Sequence, residues 1–273
     1  MKSILVPTDF SSLSLKALDL AVELAQPMQA SVRLLGVLKY PEPVLQESLF
    51  MKDTDDAFEE RIEGVENRLR CLLDQPKYHK VPVSALVDRQ KGTIGETIAA
   101  SSVDLIVMAS EGASGWKEQT TGSNAERVVR QAKCPVLIVK NGDPLELKTI
   151  LFPTDFTNIE SIRQFLTFPG VAEANLHFLT VNTGFLDRTF EDLEEEMGQL
   201  AEKLGIEKYE YTIIDAVSEE AGIVRYGREI QADLIALYTH GRKGLSYWFH
   251  GSIAEKVVNH SAIPVLTVVQ HER

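Results

Sequence analysis

Four blocks of this sequence occur twice in the same order, and that repetition constrains the fold more than any other feature. Ile4–Phe10 (ILVPTDF) returns as Ile150–Phe156 (ILFPTDF), at an offset of 150 − 4 = 146. Val103–Ser110 (VDLIVMAS) returns as Ala232–Thr239 (ADLIALYT), Gly122–Val129 (GSNAERVV) as Gly251–Val258 (GSIAEKVV), and Cys134–Val139 (CPVLIV) as Ile263–Val268 (IPVLTV), each at an offset of 129. A period this long is a domain duplication, since solenoid units span only about 20–50 residues. The fall from 146 to 129 makes the second copy about 17 residues shorter in its middle. The place expected for the difference lies between Leu34–Tyr40 and Val83–Asp88, where the first copy carries Pro41, Pro43 and an acidic run around Asp53–Glu60. Asn141–Leu147 (NGDPLEL) contains the Gly and Pro breakers of a linker. The expected domains are residues 1–143 and 147–273, the second shorter between its second and third strands.

Within one copy, apolar runs alternate with amphipathic stretches. Strands are expected at Ser3–Val6, Val32–Leu38, Val83–Val87, Asp104–Ala109 and Val136–Val139. Helical spacing marks Ser14–Gln26 (Leu15, Leu18, Val22, Ala25) and Ala57–Leu73 (Ile62, Val65, Leu69, Leu72), with further helices at Thr93–Ser101 and Ser123–Ala132. The unbroken apolar strand ending at Ala109 is typical of a sheet covered on both faces. The expected fold class is therefore α/β: two tandem, doubly wound, five-stranded and mostly parallel sheets with helices on both faces. In such sheets ligands sit outside the carboxyl ends of the strands, where strand order reverses.

Composition excludes several classes of partner. The 273 residues carry 40 acidic and 28 basic side chains, a net charge of −12, which disfavours nucleic acid or an anionic membrane surface as partner. A small anion is not disfavoured, because backbone N–H groups at a helix N-terminus can bind it without side-chain charge. No apolar run approaches the roughly 18 residues of a membrane helix. Cys71 and Cys134 form no CxxC pair, and MKSILVPTDF reads as a first strand and not as a signal peptide, so a cytoplasmic location is expected.

Two loops per copy can carry chemistry. After the first strand stand Pro7-Thr8-Asp9-Phe10-Ser11 and Pro153-Thr154-Asp155-Phe156-Thr157. Asp9 and Asp155 suit a helix cap or turn, and equally a carboxylate that accepts bonds from a ligand. After the fourth strand come Ala109-Ser110-Glu111-Gly112, nine residues, then Gly122-Ser123, and in the second copy Tyr238-Thr239-His240-Gly241, nine residues, then Gly251-Ser252. Ser123 with Glu126, and Ser252 with Glu255, fit a capping box. The same helix starts would hold a phosphate, and a cap alone does not require Gly112 or Gly241. His240 and His250 suggest a metal pair that no other residue supports, and Glu191–Glu196 reads as a solvated helix face.

These motifs together resemble the universal stress protein family, once per half: P-T-D-F after strand one, G-x2-G-x9-G-[S/T] after strand four, and G-S-x-A-E-[RK]-V-V…P-V-L at the end. The resemblance implies an adenine nucleotide alpha hydrolase-like sheet and, in many members, ATP binding. It implies that Asp9 and Val37 hold the adenosine while Gly112, Gly122 and Ser123 hold the phosphates, with Asp155, Val181, Gly241, Gly251 and Ser252 as counterparts. Both halves depart from the pattern: its first Gly is Ala109 in one and Tyr238 in the other. Glu111 also stands where the family commonly has His, as at His240, and the second copy lacks the counterpart of Gly92.

The expected function is that of a stress-response protein binding ATP or another adenine nucleotide, with or without Mg, in at least one half. The expected role is regulatory, with no residue assigned as catalytic. The alternatives are an interaction scaffold with degenerate sites and a slow ATPase, for which no Walker lysine or Ser-His-Asp set is visible. Expected partners are the nucleotide and the other half of the same chain; the resemblance implies that the last strands, Val136–Val139 and Val265–Val268, pair and cover two sheet edges, with a homodimer as a further option.

Overall fold

Regular alternation of apolar strands and amphipathic helices produces ten strands and seven labelled helices among the residues described by the computed structural model: 2–36, 55–87, 95, 97–98, 101–110, 124–140, 145–157, 159–184, 188–240 and 250–270. The first half contains β1 (Lys2–Thr8), α1 (Ser12–Met28), β2 (Ala30–Gly36), α2 (Asp55–Leu73), β3 (Val83–Val87), β4 (Leu105–Ala109), α3 (Asn124–Gln131) and β5 (Val136–Val139). The second contains β6 (Thr149–Pro153), α4 (Ile159–Leu166), β7 (Asn175–Asn182), α5 (Phe190–Leu204), β8 (Glu210–Asp215), α6 (Glu219–Glu229), β9 (Leu234–His240), α7 (His250–His260) and β10 (Val265–Gln270).

The strands form one sheet in the order β3-β2-β1-β4-β5-β10-β9-β6-β7-β8. Every neighbouring pair is parallel except β5 with β10. The two expected five-stranded sheets are thus halves of one ten-stranded sheet. At the seam Leu137 pairs with Leu266, flanked by Ile138 with Val265 and Val136 with Thr267. Leu137 and Leu266 are repeat equivalents (266 − 137 = 129), so each copy meets its own counterpart about a local two-fold axis. This joint occupies the edges that β5 and β10 would otherwise expose.

Side chains alternate across each strand, so two cores form, one per face. On one face Ile4, Val6, Val32 and Leu34 pack with Ala17, Leu18 and Ala21 of α1 and Leu69 of α2, and the cluster continues through Ile150, Phe152 and Phe178 to Ile162 and Phe165 of α4. On the other, Leu5, Ile106, Ile138, Leu151 and Ile235 pack with Val128 and Val129 of α3, Ile223 of α6 and Val257 and Val258 of α7. Burial from both sides explains why Leu105–Met108 is apolar without interruption.

Several boundaries differ from the sequence expectation. Helix α1 runs two residues further at each end than expected and tolerates Pro27 in its last turn. Asp104 precedes β4 instead of belonging to it. Its Oδ2 accepts the Ser3 amide at 2.8 Å, while Asp233 Oδ2 likewise accepts the Thr149 and Lys148 amides at 2.8 and 3.0 Å. These carboxylates fasten the amino-terminal rim of each half, a role the sequence reading did not assign. The expected helix over 93–101 lies mostly outside the described residues. The predicted solvated face of α5 is present, with Glu191, Glu194 and Glu195 exposed, and the helix is opened by a capping box between Thr189 and Asp192.

The two halves are not chemically identical at the seam. Lys140, directly after β5, is buried, and its Nζ donates to the Val258 carbonyl of α7 at 2.6 Å. Its repeat counterpart is Val269 (140 + 129), which has no such group.

Candidate functional site

Strand order reverses between β1 and β4, and again between β6 and β9, so each half has one switch point at its carboxyl edge. The Thr-Asp-Phe turns lie at these two points. Thr8 Oγ1 accepts the Phe10 amide and Thr154 Oγ1 the Phe156 amide, both at 3.0 Å. Asp9 Oδ1 accepts the Ser11 amide and Asp155 Oδ1 the Thr157 amide, again at 3.0 Å. Two successive side-chain oxygens thus bend the chain out of the strand.

The bend places Phe10 at φ 62° and Phe156 at φ 67°, left-handed backbone that costs a bulky residue roughly 1–2 kcal/mol. Packing offsets it. Both rings lie against the core, Phe10 beneath the Arg68 guanidinium at 3.9 Å and Phe156 edge-on to Tyr211 at 6.0 Å. The sequence reading missed these phenylalanines as conformational determinants, although their recurrence in both T-D-F blocks was a visible signal. Of the two structural roles expected for Asp9, cap or turn, the turn is the one present. The N-cap of α1 is Ser11, whose hydroxyl accepts the Ser14 amide at 3.2 Å, so Asp9 belongs to the turn and keeps an exposed carboxylate at the switch point.

The second half differs at one position. Ala109 pairs with Val139 of β5, and Tyr238 pairs with Val268 of β10. The common offset (238 − 109 and 268 − 139, both 129) makes Tyr238 the structural counterpart of Ala109. Tyr238 is buried, and its hydroxyl donates to Asp155 Oδ1, the oxygen that also accepts the Thr157 hydroxyl at 2.7 Å. Burial, and then the neighbouring Asp155 charge, push the phenol pKa far up, so the group is a donor at any physiological pH.

Val181 is half-buried near the end of β7, close enough to α6 that a Cβ on Gly222 would fall 2.7 Å from Val181 Cγ1. Beside it Asn182 Nδ2 donates to Asp215 Oδ1 at 2.7 Å, tying the ends of β7 and β8 together. Helix α7 begins at His250, so Gly251 and Ser252 are its second and third residues and Ser252 is not the expected N-cap. Amides of a first helical turn remain without intrahelical acceptors wherever the cap falls. Val37, Gly112, Gly122, Ser123 and Gly241 lie outside the described residues, as do Glu111 and Gly92. So do the side chains of His240 and His250. Among the described residues no group of three His, Cys, Asp or Glu side chains is placed to hold a metal ion, and no helix is long and apolar enough to cross a membrane.

Known proteins resemble the chain in the same two-part way. A universal stress protein of Methanocaldococcus jannaschii is 28% identical over 148 residues, covering 51% of this chain and 82% of that protein. One from Bacillus subtilis is 31% identical over 151 residues, covering 50% of this chain and 97% of its own. The crystal structure of a universal stress protein from Archaeoglobus fulgidus shares the fold over 99% of this chain and 97% of its own, with a TM-score of 0.70 at 23% identity. The family profile matches residues 1–140 and 172–269. The second match begins beyond β6, so the Asp155 turn lies outside it; the matching sheet position of β6 and the φ of Phe156 relate that turn to the first. With both halves matched over most of their length, the chain belongs to the universal stress protein family.

Proposed function

We propose that the chain binds ATP or a related adenine nucleotide at the carboxyl edge of its first half, and serves a stress response by regulation rather than strong catalysis. The observation that carries this reading is the exposed carboxylate of Asp9, held at the switch point by a strained turn, with only the methyl of Ala109 at the position Tyr238 fills in the other half. A carboxylate so placed suits the hydroxyls or amine of a nucleoside. The two units are taken as residues 1–143 and 147–273. On the resemblance, Val37 would complete the nucleoside contacts and Gly112, Gly122 and Ser123 the phosphate contacts, with Mg as an accompanying ion. When bound, the nucleotide supplies a state-dependent ligand for partner recognition, while the protein residues bind and orient it. Isothermal titration with ATP, ADP and AMP tests the proposal. Saturable heat with at least one of them, lost in Asp9→Ala, is the expected result. Absence of heat with all three at protein concentrations on the order of 100 µM, where a micromolar Kd corresponds to about −8 kcal/mol, would overturn it.

A further inference from the structure

We propose that Tyr238 is the built-in occupant of the second switch point, so that the second half takes no nucleotide and the chain binds one per molecule. The inference deepens the reading above and rests on it for the identity of the ligand. Two independent facts meet here. The sheet register places Tyr238 where the first half has Ala109. The hydroxyl of Tyr238 lies on Asp155 Oδ1, so it occupies the carboxylate that, by the equivalence of the two turns, corresponds to that of Asp9. A nucleoside hydroxyl that takes this oxygen must displace both the phenol donor and the ring that carries it. The ring is itself buried, at 8% exposure, and belongs to the core that continues through Ala236 and Val268. Swinging it out exposes apolar surface and removes a bond to a charged acceptor, and both effects oppose opening. At the matching position Ala109 carries only a methyl group, which offers Asp9 no hydrogen bond.

The same reading gives Asp155 a second role. In this half the carboxylate orients a side chain of the protein instead of a ligand, which makes the turn a structural joint between β6 and β9. The Asn182–Asp215 bond closes the adjacent strand ends in the same half.

Equilibrium dialysis with ATP and Mg, at ligand concentrations on the order of 1 mM, counts sites on the full-length wild type, Tyr238→Ala and Tyr238→Leu. Tyr238→Leu fills most of the apolar space and lacks the hydroxyl, so it reports even if the smaller side chain fails to fold. The expected counts are one for the wild type and two for either folded variant. The informative quantity is the difference between variant and wild type. A gain of one site supports the plug even if the wild type binds none, in which case the first-half reading falls separately. Equal counts, whether zero, one or two, overturn it, as does a wild type that binds two.

Discussion

Replacing Lys140 with Met should remove a specific pH dependence of stability. The lysine is 4% exposed, and its ammonium donates to Val258 O at 2.6 Å in the last turn of α7. A helix C-terminus favours a cation there, yet burial dominates and pulls the Lys140 pKa down to about 8 from 10.5. Between these two values the unfolded chain keeps its proton while the folded chain has released it. The unfolded state therefore binds more protons, and folding stability rises with pH across that window. At about 1.4 kcal/mol per pKa unit, the gain is on the order of 3 kcal/mol between pH 8 and pH 10.5. Met preserves the aliphatic stem and removes the titration. Urea unfolding of both proteins from about pH 7.5 to about pH 10.5 isolates the effect, since groups common to both cancel in the difference. Wild-type stability should gain roughly 2–3 kcal/mol on the variant over that range. Parallel profiles would refute the burial of a titrating ammonium at the seam.

Two further substitutions test the site's construction. Both Phe156→Ala and Phe156→Gly lose the ring, but φ 67° should make Gly the better replacement by about 1 kcal/mol, or roughly 2–4 °C in Tm, and Ala ranking above Gly would contradict the left-handed turn. Gly222→Ala should cost about 1–3 kcal/mol because its Cβ would lie 2.7 Å from Val181 Cγ1; Val181→Ala should restore much of that loss in a double-mutant cycle, and strictly additive costs would contradict the contact.

How much of this was legible in the sequence depends on what each residue must satisfy. The repeated blocks carried the architecture, because the same apolar alternation must be buried in each half; the offset of 129 reappears in the pairing of Leu137 with Leu266. The pairing of Val136–Val139 with Val265–Val268 was legible only through the family resemblance, since an apolar strand does not name its neighbour. The turn was only half legible: Asp9 and Ser11 are both good caps two residues apart, and only the fold shows which one starts α1. Phe10 at positive φ was not legible, since propensity argues against it and only tertiary packing offsets the strain. Lys140 reads as a surface residue by type, and its burial depends on α7 arriving from the other copy. Tyr238 was identifiable as a departure from its repeat partner, but its Asp155 acceptor lies 83 positions away and had no local signal.

Native mass spectrometry of the full chain with saturating ATP tests the central claim most directly, because a single spectrum counts both chains and ligands. The account predicts one nucleotide for each chain, whether the protein runs as one chain or two, with Asp9→Ala carrying none. A wild-type chain that carries no nucleotide, or two, would contradict the claim of one open site in a doubled fold.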